Sequence, residues 1–169
     1  MADAPRLTTP DWEHELHNLL PFYGHRNWIV VADSAYPAQS KPGIETIVSG
    51  ADQLEVARKV LDAVNASRHV HASVYLDKEL EFVAEADAPG VARYRQQLDQ
   101  LLAGAHTILM PHEQIIARLD QVSQVFRVLI IKTDLTIPYT TVFFELGCSY
   151  WSADAEDRMR NVMTASGAK

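Results

Sequence analysis

A single cysteine, Cys148, stands in this chain of 169 residues. No intrachain disulfide and no cysteine zinc centre can form from it, and a reducing, cytoplasmic setting is the expectation. Cys148 follows Gly147 at the end of an apolar stretch, which reads as a packed thiol rather than a nucleophile. Basic clusters are missing too. With a formal net charge of -7 and no Lys/Arg patch, the chain offers no footprint for a phosphate backbone, so nucleic acid is not an expected partner. The apolar runs fall far short of the roughly 20 residues of a membrane helix. The first residues, Met-Ala-Asp-Ala-Pro-Arg, lack the apolar core of a secretory signal. No glycine-rich phosphate loop follows any strand pattern, which removes the dinucleotide and P-loop fingerprints. No Gly-x-Ser-x-Gly elbow supports a serine hydrolase of that type.

What is present is a foldable core. Apolar residues make up 47% of the chain, and no repeat, low-complexity tract or linker divides it. One domain over 1–169 is expected, with a core of about 9–150 and a C-terminal extension at 151–169. Thr9-Pro10 reads as a helix start. Trp12, Leu16, Leu19, Leu20 and Tyr23 then share one helical face, and Gly24 closes the segment. Strands are expected at 28–32, 44–48, 69–76, 108–110, 125–131 and 141–146. Ser49-Gly50-Ala51-Asp52 has capping-box spacing and reads as opening a helix with Leu54, Ala57, Leu61 and Val64 inward; further helices are expected after Pro89 and from Pro111 to about Gln121. The alternation predicts α/β architecture, a three-layer α/β/α sandwich with a mixed, mostly parallel sheet. The last two strands lack a helix between them and are compatible with a hairpin. A short helix after Trp151 is compatible with the polar tail.

The most informative local feature is Gly24-His25 with Asp33 eight residues on. Between them, Trp28 to Ala32 is a continuous apolar run of strand length. One strand thus carries an imidazole at one end and a carboxylate at the other. Histidine exchanges protons near neutrality, and a carboxylate orients polar ligands or tunes an imidazole. Two histidine pairs, His14/His17 on a helix and His69/His71 on a strand, lack a third ligand at standard spacing, so no metal is expected. Farther on, His112-Glu113-Gln114 marks a strand-to-helix junction, Pro138-Tyr139-Thr140-Thr141 leads into the last core strand, and Gly147 closes that strand.

Taken in order, Gly24-His25, Asp33, His112 and Tyr139-Thr140-Thr141 resemble the D-ribose pyranase / L-fucose mutarotase (RbsD/FucU-like) family over about residues 9–150. The phrase His112-Glu113-Gln114-Ile115 and the Asp33-Ser34-Ala35-Tyr36-Pro37 turn look like the ribose branch, and Pro37-Ala38-Gln39-Ser40 looks closer to the fucose branch. The family's Tyr-x-Asn ends in Thr141 here, which replaces a two-atom amide with one hydroxyl. Ile116 occupies the place of a fucose-branch tyrosine, and the segment between His112 and Tyr139 is longer than in the family.

The resemblance implies an isomerase that interconverts ring forms or anomers of a small monosaccharide without cofactor. His25 would be the acid-base residue, with Asp33, His112, Tyr139 and Thr141 binding the sugar. It also implies a homo-oligomer, a ring or decamer with the site at a subunit cleft. A sugar-binding or regulatory module without turnover is the alternative that Thr141 favours. An isomerase for a charged sugar, held by Arg26 or Lys41, is a third reading.

Overall fold

The computed structural model describes residues 11–167, so the Thr9-Pro10 start lies outside the described residues. Helix α1 covers Trp12–Leu19, and the Asp11 side chain caps it by accepting the His14 N–H at 3.0 Å. There follow β1 (Trp28–Ala32), β2 (Ile44–Val48), α2 (Gln53–Ala66), β3 (Val70–Asp77), α3 (Val91–Leu101), β4 (Thr107–Met110), α4 (His112–Val122), β5 (Val128–Lys132), β6 (Val142–Cys148) and α5 (Ala153–Ala165).

The six strands form one sheet in the order β2-β5-β1-β6-β3-β4. All run parallel except β6, which is antiparallel to both its neighbours, β1 and β3. The expected mixed, mostly parallel sheet is therefore present. The chain moves one way across it from β2 through β3 to β4, then returns from β4 to β5. Right-handed crossovers place the helices of opposite movements on opposite faces. Accordingly α1, α2 and α3 bury Leu16, Val60 and Leu98 on one face, while α4 buries Ile115 and Leu119 on the other. β1 is covered on both faces. Trp28, Val30 and Ala32 face α4, and Ile29 and Val31 face the three-helix layer, which is why its sequence is continuously apolar.

The structure corrects several boundaries. β5 and β6 do not form a hairpin, because β1 lies between them. Their linker crosses the end of β1, where Thr133 N–H donates to Ala32 O and Ser34 N–H to Leu135 O, both at 2.8 Å. β5 opens at Val128 rather than Val125, and Val125 is exposed in the preceding turn. α2 opens at Gln53 because Asp52 accepts the Leu54 and Glu55 N–H groups. Ser49 instead donates to Lys132 O at 2.9 Å. The later start turns Val56, Val60 and Ala63 inward with Ala57 and Val64, and leaves Leu54 and Leu61 at the margin. α5 buries no residue. Among the described residues no helix is long and apolar enough to cross a membrane.

Candidate functional site

Five parallel strands end at one edge of the sheet, and β6 begins there. β1 hands over to Asp33, β3 ends on Asp77, β4 leads through Pro111 to His112, and Tyr139-Thr140-Thr141 enters β6. Val142 is registered with Val31 on one side and Leu76 on the other. Thr141, one residue earlier, therefore lies between the ends of β1 and β3. In open α/β sheets the crevice outside the carboxyl ends of the strands is where ligands bind.

His112 is fixed twice. Its backbone N–H donates to both Glu79 carboxylate oxygens, at 3.1 and 3.0 Å. Pro111 at the N-cap has no side chain to offer α4, so Glu79 serves as the cap from another element. The ring Nδ1 lies 3.0 Å from Asp77 Oδ1, which leaves Nε2 for a ligand. The imidazole is 29% exposed and meets Tyr139 edge-on, with ring centroids 5.7 Å apart.

Asp77 is 1% exposed, and its Oδ2 has no hydrogen-bond partner among the described residues. Burial raises its pKa from 3.8 to about 6; the His112 hydrogen bond opposes that rise, and the Glu79 and Asp33 charges add to it. A carboxyl that exchanges its proton near neutrality thus sits directly behind the imidazole. Tyr36, from the loop after Asp33, is buried, and among the described residues its hydroxyl also lacks a hydrogen-bond partner. Burial and the neighbouring Asp77 charge push its pKa up, which keeps the phenol a donor.

Tyr139 has φ of 57°, a left-handed conformation that costs a non-glycine residue on the order of 1 kcal/mol. The following peptide holds it there. The Thr140 carbonyl accepts from Tyr94 Oη at 2.8 Å and from Gln53 Nε2. Thr133 Oγ1 donates to Gln53 Oε1 at 2.7 Å, and Thr140 Oγ1 donates to Ile137 O at 2.8 Å. Gln53, Thr133, Thr140 and Thr141 are all buried.

His25 lies elsewhere. It is exposed in the turn before β1, where Gly24 N–H donates to Asn27 Oδ1 at 2.7 Å and Arg26 N–H to Leu146 O at 2.9 Å. Five residues of β1 separate this turn from Asp33, roughly 16 Å at about 3.3 Å per residue. The structure therefore gathers Asp33, His112, Tyr139 and Thr141 at one edge and leaves His25 at the opposite edge. Phe22 and Val125, near that turn, are 80% and 78% exposed.

The sequence reading missed Asp77, Glu79 and Tyr36. The period of two that places Tyr75 on the α4 face also places Asp77 there, a signal lost when β3 is ended at Leu76. The other candidates have local roles. His14 and His17 are exposed on α1. His69 Nε2 bridges the Leu20 and Tyr23 carbonyls at 3.2 and 3.0 Å, and the His71 ring lies over Gly147, where a Cβ would meet it at 2.7 Å. Lys41 pairs with Asp120 at 2.5 Å, and Arg26 covers the Phe126 ring at the far edge.

A profile of the RbsD / FucU transport protein family matches residues 8–149. Among solved structures, Bacillus subtilis RbsD complexed with D-ribose is 18% identical, with a TM-score of 0.54 over 87% of this chain and 98% of that one. The fucose mutarotase from Streptococcus pneumoniae in complex with L-fucose is also 18% identical, with a TM-score of 0.53 and the same coverages of 87% and 98%. FucU from Bifidobacterium longum is 14% identical, with a TM-score of 0.51 over 79% and 94%. These likenesses carry the fold. No curated protein sequence matches the chain.

Proposed function

Because the chain belongs to the RbsD / FucU transport protein family, we propose that it is a monosaccharide mutarotase or pyranase of the cytoplasm, acting on a ribose- or fucose-like sugar by acid-base catalysis. The observation that carries this reading is the meeting of Asp33, His112, Tyr139 and Thr141 at the carboxyl edge of the sheet, with the His112 imidazole tied to the buried Asp77 carboxyl. Ring opening needs a proton given to the ring oxygen and another taken from the anomeric hydroxyl. The C–O bond breaks, the carbonyl turns, and closure returns both protons. Well-placed groups contribute roughly 10²–10⁴-fold to such a step. Asp33 and the Thr141 hydroxyl bind sugar hydroxyls, Tyr139 offers its ring face, and His112 Nε2 either binds a hydroxyl or carries the second proton.

His25 is the first acid-base residue in this reading, and it reaches the site from a second copy of the chain. One chain separates His25 from Asp33 by the length of β1. The exposed Phe22 and Val125 near the His25 turn are apolar surface that a neighbouring copy would cover. A closed ring of copies, each lending its His25 edge to the next, is the assembly that follows.

The test is NMR magnetisation exchange between anomers of ribose, fucose and related sugars. His25→Ala and His112→Ala are each expected to lose accelerated exchange with unchanged circular dichroism. Co-assembled, the two variants are expected to recover part of it, because some sites then receive an intact His25 and an intact His112 from different chains. A mixture no better than its components would refute the shared site, and wild-type rates in His25→Ala would refute the role of His25. Sugar binding by the native protein without faster exchange would select the non-catalytic module.

A further inference from the structure

On the face of the sheet away from α4, a groove of about 800 Å³ lies between α2 and α3. That volume is in the range of small-molecule sites. Arg58 from α2 and Arg93 from α3 line it, with Gln97 and Gln100 along one wall and Leu135 and Ile137 among its apolar lining residues. Two acids also line it and keep their charge, while their oxygens face partners of their own; Lys59, the partner of one, is shared with Glu13. Asp52 accepts the Leu54 and Glu55 N–H groups, and Glu55 pairs with Lys59 at 3.3 Å. The N-terminus of α3 is likewise engaged, since Glu85 accepts the Gly90 and Ala92 N–H groups. Neither guanidinium has a hydrogen-bond or ion-pair partner among the described residues. The groove therefore presents two guanidinium groups free of any direct partner among the described residues, set beside two carboxylates, with two amides that can donate and accept and an apolar surface. Guanidinium groups match phosphate oxygens in geometry and charge. The amides suit hydroxyls, and the apolar side chains suit the carbon face of a small polyol.

We infer that this groove binds a phosphorylated monosaccharide and that its occupancy acts on the Tyr139 segment at the carboxyl edge of the sheet. The link is short. Tyr94 lines the groove and donates to the Thr140 carbonyl at 2.8 Å. Ile137 also lines it, and its carbonyl accepts the Thr140 hydroxyl at 2.8 Å. A ligand that shifts either residue shifts the peptide that holds Tyr139 in its left-handed conformation. The regulatory half of the inference rests on Tyr139 facing a sugar in the proposed reaction; the binding half does not.

The test is calorimetric titration of the full chain with ribose 5-phosphate, inorganic phosphate and ribose. Ribose 5-phosphate is expected to bind more tightly than inorganic phosphate. Arg58→Ala and Arg93→Ala should each weaken it about ten-fold or more, added salt should weaken it, and His112→Ala should leave it unchanged. In the same titration followed by NMR, the Tyr139 and His112 ring signals should move in the wild type. They should stay still in Tyr94→Phe, which still binds. Absence of binding, equal affinity for inorganic phosphate, or arginine variants that bind like the wild type would overturn the site. Loss of binding in His112→Ala would overturn it as well, by placing the sugar phosphate at the carboxyl edge. Ring signals that do not respond would overturn the coupling. If anomer exchange were absent while the calorimetry and ring shifts held, the proposed reaction would fall and the groove would stand.

Discussion

Asp77 gives the sharpest test of the site's electrostatics. Its side chain is buried and its pKa is raised from 3.8 to about 6. The folded protein therefore holds a proton on Asp77 through a range of pH in which the unfolded chain has already released it. Between about pH 4 and pH 6 the folded state binds more protons than the unfolded state, so this group's contribution to stability falls as pH rises. Above pH 6 both states are ionised and the full penalty applies, about 3 kcal/mol for a shift of about two units. Below pH 4 both are protonated and there is no penalty. Asp77→Asn removes the titration but keeps the shape. The assay is urea unfolding of both proteins from pH 4 to pH 7.5, read as the difference in unfolding free energy at each pH, so that the other carboxylates largely cancel. The variant should gain about 3 kcal/mol on the wild type across that range, whatever fixed offset the lost hydrogen bond to His112 adds. The His112 hydrogen bond and charge lower the Asp77 pKa, so in a His112→Ala background, which has no side-chain donor, the transition should move to higher pH. A difference that stays flat from pH 4 to pH 7.5 would refute the reasoning, because a solvated carboxyl or one permanently ion-paired would give that result.

Three further outcomes are expected from the same assay at fixed pH. Gln53→Ala removes one of two donors to the buried Thr140 carbonyl, which keeps Tyr94 Oη, and one partner of the Thr133 hydroxyl, which keeps Ala32 O at 3.0 Å, and a loss of about 1–2 kcal/mol is expected; a loss under about 0.5 kcal/mol would show that the clamp on the Tyr139 segment is dispensable. Gly43→Ala places a Cβ 2.5 Å from Ser123 O and 3.0 Å from Phe126 O, both backbone atoms, and should cost about 1–3 kcal/mol. Ending the chain after Ser152 removes α5, which buries no residue, and should change the unfolding free energy by no more than about 0.5 kcal/mol.

The parts of the fold that were legible in the sequence are those set by local periodicity. The Trp28–Ala32 run announces a strand covered on both faces, and the alternation of strands with amphipathic helices announces the layers. The hairpin between the last two strands was misread because strand pairing is non-local. β1 takes the place between them once the 133–141 linker is pinned across its end by Thr133 and Leu135, and nothing in the linker's composition reports that. Helix starts were misplaced where a better cap stood a few residues on, as Asp52 does after Ser49. The shared placement of Asp33, His112, Tyr139 and Thr141 was legible because each sits where a strand ends or where β6 begins, and a mostly parallel sheet brings those positions to one edge. Asp77 and Glu79 were not, because their meaning is tertiary: one buries a carboxyl behind the imidazole, the other caps a helix from a different element.

His25 shows what the same logic implies about assembly. A turn residue before a strand and a carboxylate after it are held apart by the strand itself, whatever the surrounding fold. No rotamer of His25 and no shift of the Gly24–Asn27 turn, which is tied to Leu146, closes a gap of roughly 16 Å. If both residues act on one monosaccharide, the two must come from different copies of the chain. A dilution series then separates the alternatives. Exchange activity per chain should fall as the assembly dissociates, while the Asp77 titration, internal to one chain, should persist in the dissociated form. Activity per chain that stays constant down to the monomer would leave His112 and Asp77 as the in-chain acid-base pair and His25 outside the reaction.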